Sequence, residues 1–459
     1  MPPGTITRVI ASREKAPKHG PGRLVVDGTD HVLHRKAQFA LHPGAAAEAR
    51  LLALLAALCE CYNAALAERR DAYRATGRTV SLFEQYNQIK DLRGVRDDVL
   101  AWGIQPVRSA LKRLDEAMAA FFRRVRAGQV PGFPRFRSRS RFDTACWDEP
   151  TSWKLGKDAE TGRWRLAVQG VGTVALSKKA SRQLDRLVKR GGDPATLTIT
   201  RRRAGTGWVW RATVGFKNVT TQPLPGTGRV IGVDRGVAVT AATSDGQLLR
   251  YPAQAQAARD TAVLLGQSLA GKKRGSRAWR KTVRTIARER CKAAAIVDNW
   301  ARETAKTIVA AADVLVVEDL ELKNMTRSAK GTVDKPGRNV RAKAGLNRSL
   351  SGAALGKLAT RVAVKAEEAG RTLWRVNPAY TSQDCPACGH RRKGNRDRTV
   401  FRCLNCGHTT HADVNAAVNI AAAGQQAHTV WQAAGAPPLA RPKPRLRRRT
   451  ADQPLPAAA

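Results

Sequence analysis

The apolar positions of this chain change period several times, and each change predicts a new element. From 45 to about 75, AAAEARLLALLAALCECYNAALAERRDAYRA spaces its apolar residues three and four apart with no Gly or Pro, which predicts a long helix. A second helix is predicted from about 103 to 126, where Val107, Leu111, Leu114, Met118 and Phe121 form a stripe suited to core packing. Its other face carries Arg108, Lys112, Arg113, Arg123, Arg124 and Arg126. Ahead of both, VLHRKAQFALHPG (32–44) has the pattern of a strand stopped by Pro-Gly. Residues 150–217 contain five short strand patterns (SWKLGK, GRWRLAVQ, TVALS, ATLTITRRR and GWVWRATVGF), the last two forming a hairpin across AGTG. Trp153, Trp164, Trp208 and Trp210 are expected in its core, with Arg201, Arg202 and Arg203 at a strand end facing solvent.

Past the proline-containing TTQPLPGTGR (220–229), strand and helix patterns alternate. RVIGVDRGVAVTAATSDGQ suggests two strands with a turn at Asp-Gly, followed by a helix with a basic centre from 271 to about 311. A buried strand DVLVVEDLEL, a Gly/Lys/Arg-rich loop at about 326–347, a helix to about 369 and the strand RTLWRVNP come next. Such alternation indicates an α/β layer. From about 425 the chain is rich in Ala and Pro and is expected to be disordered. No internal repeat is visible.

Charge narrows the partners. Among 459 residues, 81 Lys and Arg face 37 Asp and Glu, a formal net charge of +44 spread along most of the chain. A polyanion gains from such a surface through phosphate neutralisation and counterion release, so nucleic acid is the expected partner. Local candidates are Arg135, Arg137 and Arg139 in GQVPGFPRFRSRSRF, where rings alternate with guanidiniums. Arg201, Arg202, Arg203, Lys272, Lys273, Arg391 and Arg392 complete the set. No apolar run reaches the roughly 18 residues of a membrane span, and MPPGTITRVIASREK lacks the apolar centre of a signal peptide. The eight cysteines are therefore expected in a reducing cytoplasm.

Four of those cysteines form the clearest metal pattern. Cys385 and Cys388, then Cys403 and Cys406 after fourteen residues, make two C-x2-C pairs, each followed by Gly. Two such turns place four soft thiolates around one Zn²⁺ and leave no open position, so the site is expected to be structural. His390, His408 and His411 are taken as surface groups, and Cys59, Cys61, Cys146 and Cys291 as small core or surface residues.

Three acids stand out against their surroundings. Asp234 in VIGVDRGV and Glu318 in VLVVEDL sit at the ends of apolar strand patterns, where a lone carboxylate costs solvation. Asp319 is expected on the opposite side of its strand. Asp413 heads the helix after the cysteines. Each has an ordinary alternative: a turn residue for Asp234, an arginine partner for Glu318, a helix N-cap for Asp413. If the three converge, they can hold two Mg²⁺ or Mn²⁺ ions roughly 4 Å apart.

The segments IGVDRGV, VVEDLELKNMT, LNRSLSGAALGKL, TSQDCPACGH and HADVNAAVNI, in this order, resemble the TnpB family, the RNA-guided nucleases of insertion sequences related to type V CRISPR effectors. The resemblance covers about 229–423 and extends more weakly to QVPGFPRFRSRSRF and the helix before it. It implies an α+β multidomain chain in which 223–424 is an RNase H-like (RuvC) nuclease domain with a zinc ribbon inserted at 380–410. An N-terminal β-barrel wedge domain (1–44 and 131–222) would be interrupted by a helical recognition domain (45–130), with 425–459 a disordered basic tail. Asp234, Glu318 and Asp413 match the family's catalytic triad, Asp413 also capping its helix, and Cys385, Cys388, Cys403 and Cys406 match its zinc ligands. Arg235 departs from the apolar residue of many relatives. The implied activity is two-metal cleavage of double-stranded DNA beside a short flanking motif, directed by a guide RNA, in a transposon or minimal CRISPR setting. A prokaryotic, nucleoid-associated location and a homodimer are compatible with it. The competing readings are an RNA-guided repressor that does not cut, a strand-transfer transposase and a guide-independent nuclease.

Overall fold

A computed structural model describes residues 22–28, 32–204, 207–329, 331 and 336–436. The expected tail beyond 436 and the first 21 residues of the expected wedge lie outside the described residues. The described residues are α+β with four sheets, and they divide into two units.

One unit holds residues 30–221 and 254–294. Its elements are β2 (Leu33–Leu41), α1 (Ala45–Thr76), α2 (Leu82–Asn87), α3 (Asp97–Leu100), α4 (Ile104–Arg126), β3 (Thr144–Trp147), β4 (Trp153–Lys157), β5 (Trp164–Val168), β6 (Gly172–Ala175), α5 (Lys178–Val188), β7 (Asp193–Ala204) and β8 (Gly207–Val219). Most of α6 (Ala253–Gln267) and the first half of α7 (Arg277–Ala310) also belong here. The strands pair as two sheets, β2-β8-β7-β3 and β4-β5-β6, where one barrel was expected. Both share a core with α1 and α4 that includes Trp147, Trp153, Trp164 and Trp210. By length and composition α1 could cross a membrane, but Leu51, Leu54, Leu55, Leu58, Tyr62 and Leu66 fill this core. It ends where Gly77 adopts φ 68°, the left-handed cap that glycine takes without a Cβ penalty.

Several expectations need correction. Trp208 is 38% exposed: β2 pairs with β8 only as far as Trp210, so the hairpin beyond has no core beneath it. The strand β3 and the helix α5 fall where linker and strands were expected. GKKRGS (271–276), expected to be helical, is a turn between α6 and α7.

Among the described residues, the second unit holds 22–28, 222–253 and those from 295 to 436. It is built on a six-stranded sheet, β1-β13-β12-β9-β10-β11. These are β1 (Arg23–Asp27), β9 (Val230–Asp234), β10 (Ala241–Thr243), β11 (Leu248–Leu249), β12 (Val314–Glu318) and β13 (Thr372–Val376). The central β9, β12 and β13 run parallel. β1, expected in the wedge, instead pairs antiparallel with β13. The helices are α8 (Leu322–Met325), α9 (Val340–Gly352), α10 (Leu355–Glu368) and α11 (Ala412–Ala433). The single helix expected up to 369 is thus two, broken where Ala354 takes φ 57°. Residues 425–433, expected disordered, are the end of α11. A small sheet of β14 (Arg396–Asp397), β15 (Val400–Arg402) and β16 (Thr409–His411) forms the ribbon.

Alternation along the strands sorts the layers. Ile231, Val233, Leu315 and Val317 face Ile308 and Val309 of α7 and Leu358 and Val362 of α10. Val314, Val316, Trp374 and Val376 face Ile420 and Ala427 of α11. All five residues of β12 are buried, as a parallel strand covered on both faces requires. α11 lies unusually close to the sheet. A Cβ on Gly232 would fall 2.1 Å from Ala417 O, and one on Gly424 would fall 2.2 Å from Val316 Cγ2. Glycine at these two points lets backbone meet strand, and so fixes where the N-terminus of α11 lies.

Candidate active site

The ribbon is two copies of one turn. Cys385 N donates to His390 O at 3.1 Å and Gly389 N to Cys385 O at 2.9 Å; Cys403 N donates to His408 O at 2.9 Å and Gly407 N to Cys403 O at 3.0 Å. Gly389 and Gly407 take φ 73° and 74°, which the reversal after each cysteine pair demands. The Sγ atoms of Cys385 and Cys406 are 3.7 Å apart, those of Cys388 and Cys403 3.6 Å. All four lie within 4.8 Å of one another. A tetrahedron with Zn–S bonds of about 2.3 Å has edges of about 3.8 Å, so the four thiols fit a zinc ion.

The acids gather at the edge of the same ribbon. Asp234 and Glu318 end the neighbouring parallel strands β9 and β12, one residue beyond the paired Val233 and Val317. By strand alternation both belong to the face that α11 covers. The two carboxyls lie close enough to act on each other's protonation. Burial, then the charge of Asp413, pushes the Asp234 carboxyl above its ordinary range. Burial, then the charge of Asp234, does the same to Glu318. Asp413 is the second residue of α11 and is buried. It is not the N-cap. His411 caps the helix, its Nδ1 accepting from Asp413 N at 3.2 Å, while Asp413 Oδ1 accepts from Arg396 at 2.7 Å. His411 therefore has a structural task that a surface group would lack.

The structure thus brings the three acids into one neighbourhood with unequal closeness. Among the described residues only the four cysteines bring three or more potential ligand atoms within 4.8 Å of each other; the acids are looser, with Asp413 held by Arg396. Arg235 is buried beneath them and donates to Glu318 O at 2.5 Å. Asp319 leaves the cluster and pairs with Arg23 and Arg375.

The basic candidates are scattered. Arg135 is exposed. Arg137 lies over the Tyr62 ring at 5.4 Å, its backbone pinned by Asn63 at 2.8 Å in both directions. Arg139 pairs with Glu60. Arg201 stacks on Trp208 at 3.9 Å with Arg203 at 5.6 Å, and Arg202 is exposed. Lys272 donates to Thr282 Oγ1 at 2.9 Å, and Lys273 is exposed. Arg391 pairs with Asp384 and covers Tyr380 at 4.3 Å, while Arg392 is exposed. Thr381, Asn415 and Asn419 escaped the sequence reading. The last two had a signal: two amides four apart in the alanine-rich first half of the helix.

Comparison with known proteins places this geometry. Residues 356–420 match the family model described as "Cas12f1-like, TNB domain", and residues 214–329 match OrfB_IS605, described as "Probable transposase". Over 394 residues, 84% of this chain and 91% of the relative, the sequence is 32% identical to InsQ of Escherichia coli (strain K12), named for RNA-guided DNA endonuclease activity. The chain belongs to the TnpB family. A shorter match, 46% identical over 65 residues, is to the CRISPR-associated endodeoxyribonuclease Cas12f1 of Sulfoacidibacillus thermotolerans, covering 14% of this TnpB-family chain and 15% of that protein. The solved structure of the mini-RNA-guided endonuclease CRISPR-Cas_phi3 aligns with a TM-score of 0.50 at 11% identity, over 86% of this chain and 93% of that one, a likeness of fold alone.

Proposed function

We propose that this TnpB-family protein is an RNA-guided DNA endonuclease whose cutting centre is Asp234, Glu318 and Asp413. The observation that carries this reading is the pairing of two acids at the adjoining ends of buried parallel strands, with the helix of a third laid over the same face. Ligand sites in open α/β sheets lie at the carboxyl ends of strands. The unit built on the six-stranded sheet corresponds to the RuvC domain, with the ribbon as its zinc insert. The sheets and helices of 32–221 correspond to the wedge and recognition parts.

The donor set fits Mg²⁺ or Mn²⁺. Carboxylate oxygens are hard ligands, and the raised proton affinity of Asp234 and Glu318 marks a site short of positive charge. A divalent ion there supplies Lewis-acid activation of water and charge stabilisation at a phosphodiester. The chain's own residues provide the frame. Asp234 and Glu318 would hold the ion from two fixed strand ends. Asp413 would join them on release from Arg396. Arg235 keeps the end of β12 in place through the Glu318 carbonyl. The exposed Arg135, Arg202, Lys273 and Arg392 are proposed contacts for guide RNA or DNA phosphates.

The test is Asp234→Ala. Cleavage of a guide-matched plasmid in Mg²⁺ should fall to background, while RNA-dependent DNA binding stays near wild type. Equal cutting by the two proteins would remove Asp234 from the centre. The Arg396–Asp413 pair favours one other reading, an RNA-guided binder that does not cut. Failure of the wild type itself to cleave, with binding intact, would select it.

A further inference from the structure

The ribbon and the acids are joined by hydrogen bonds that no motif singled out. Thr381 is buried at the base of the ribbon. Its Oγ1 lies 3.0 Å from Glu318 Oε1 and 3.2 Å from Pro378 O. A hydroxyl has one proton to give, and a charged carboxylate is the stronger acceptor. The Thr381 carbonyl in turn accepts from Asn419 Nδ2 at 2.8 Å, and that same amide reaches Asp384 O at 2.8 Å. Asn415 Nδ2 also donates to Asp384 O, at 3.0 Å. Both asparagines stand on α11, the helix that carries Asp413.

The path continues into the cysteine turns. Asn395 is fully enclosed; its amide donates to Gln383 O and His390 O, each at 3.1 Å, and its Oδ1 accepts from Leu404 N at 3.1 Å. His390 and Leu404 belong to the two different zinc turns. An unbroken chain therefore runs from both turns through Asn395 to Gln383 and Asp384, then to Thr381, and from its hydroxyl to Glu318.

We infer that Thr381 is a positioning residue for the Glu318 carboxylate, and that the folded zinc ribbon acts on the divalent-ion site through it. This rests on the centre proposed above. A hydrogen bond that orients a ligating group is typically worth about 10–100-fold in metal affinity or activity. Thr381→Val keeps the shape and removes the donor, so it isolates that bond.

The measurement is Mn²⁺ binding, followed by electron paramagnetic resonance of free Mn²⁺, on the full zinc-loaded chain. T381V should weaken binding about 10–100-fold. Its zinc content and its melting temperature without added Mn²⁺ should stay at wild-type values, and T381S, which keeps the hydroxyl, should restore the affinity. Wild-type affinity in T381V overturns the inference. D234A separates it from the reading beneath: loss of the ion in D234A with full affinity in T381V sinks Thr381 alone. Wild-type binding in D234A sinks the acidic centre and Thr381 with it. Should T381V lose zinc, N419A replaces it, since there Thr381 keeps its hydroxyl but loses the amide that holds its carbonyl. Unweakened binding in N419A then overturns the inference.

Discussion

In the ribbon, four cysteines between 385 and 406 meet because one short turn is used twice; at the strand ends, acids 179 positions apart (413 − 234) come into one neighbourhood because apolar layers pack. The first site is local and fits a metal ion. The second is distant in sequence and depends on the sheet. Damage to each should therefore look different. A lost sulfur should unravel a small region completely. A lost fit between α11 and the sheet should leave the ribbon whole and move a carboxylate.

The largest effect is expected from Cys403→Ala. Structural zinc contributes about 10–16 kcal/mol in small finger domains, so a three-ligand site should lose both metal and order. Zinc content should drop, limited proteolysis should open between 385 and 410, and cleavage should vanish. A protease-resistant ribbon without zinc would end the idea that metal orders it. Next comes Gly232→Val, whose side chain meets the backbone of α11 at Ala417. Overpacking of this kind costs about 1–3 kcal/mol in urea unfolding. Zinc should remain bound while cleavage falls at least about tenfold, a shift of roughly 1.4 kcal/mol in the barrier. Loss of zinc in this variant would show that the two sites are not separable as described.

The smallest effect should come from pH. His428, on α11, is buried against Trp374, and its Nδ1 accepts from Trp374 Nε1 at 3.3 Å. Burial holds its pKa below the ordinary value. The unfolded chain then binds the proton more readily, so stability should be full above about pH 6.5 and decline as pH falls below it. His428→Gln should flatten that part of the melting curve against pH. An unchanged slope would detach His428 from it.

The same contrast governs what the sequence made legible. Cysteine spacing revealed the ribbon because both turns are contained in a few residues. Asp234 and Glu318 were visible because a charge in an apolar strand needs a reason. That Asp413 is spent on Arg396, leaving His411 as the cap, was hidden, since aspartate is the commoner N-cap and Arg396 reaches it only in three dimensions. Trp208 was misplaced for a related reason. It shares a strand face with Trp210, and nothing local tells that β2 stops short of it. The end of α11 was obscured by composition: alanines suggested a tail, while Trp431 and His428 pack on Trp374. Thr381 looked like an ordinary loop residue because its partner lies 63 positions away.

The pairing of β1 with β13 sets a clock on biosynthesis. Arg23 lies opposite Arg375, so the first strand waits for some 350 further residues before its edge exists. At about 5–20 residues per second, that is roughly 20–70 s on the ribosome. The loop so closed is among the longest the chain could form, although its entropic cost grows only logarithmically with length. Residues 32–221 have all their strand partners much earlier, so synthesis from the N-terminus completes their sheets well before the six-stranded one.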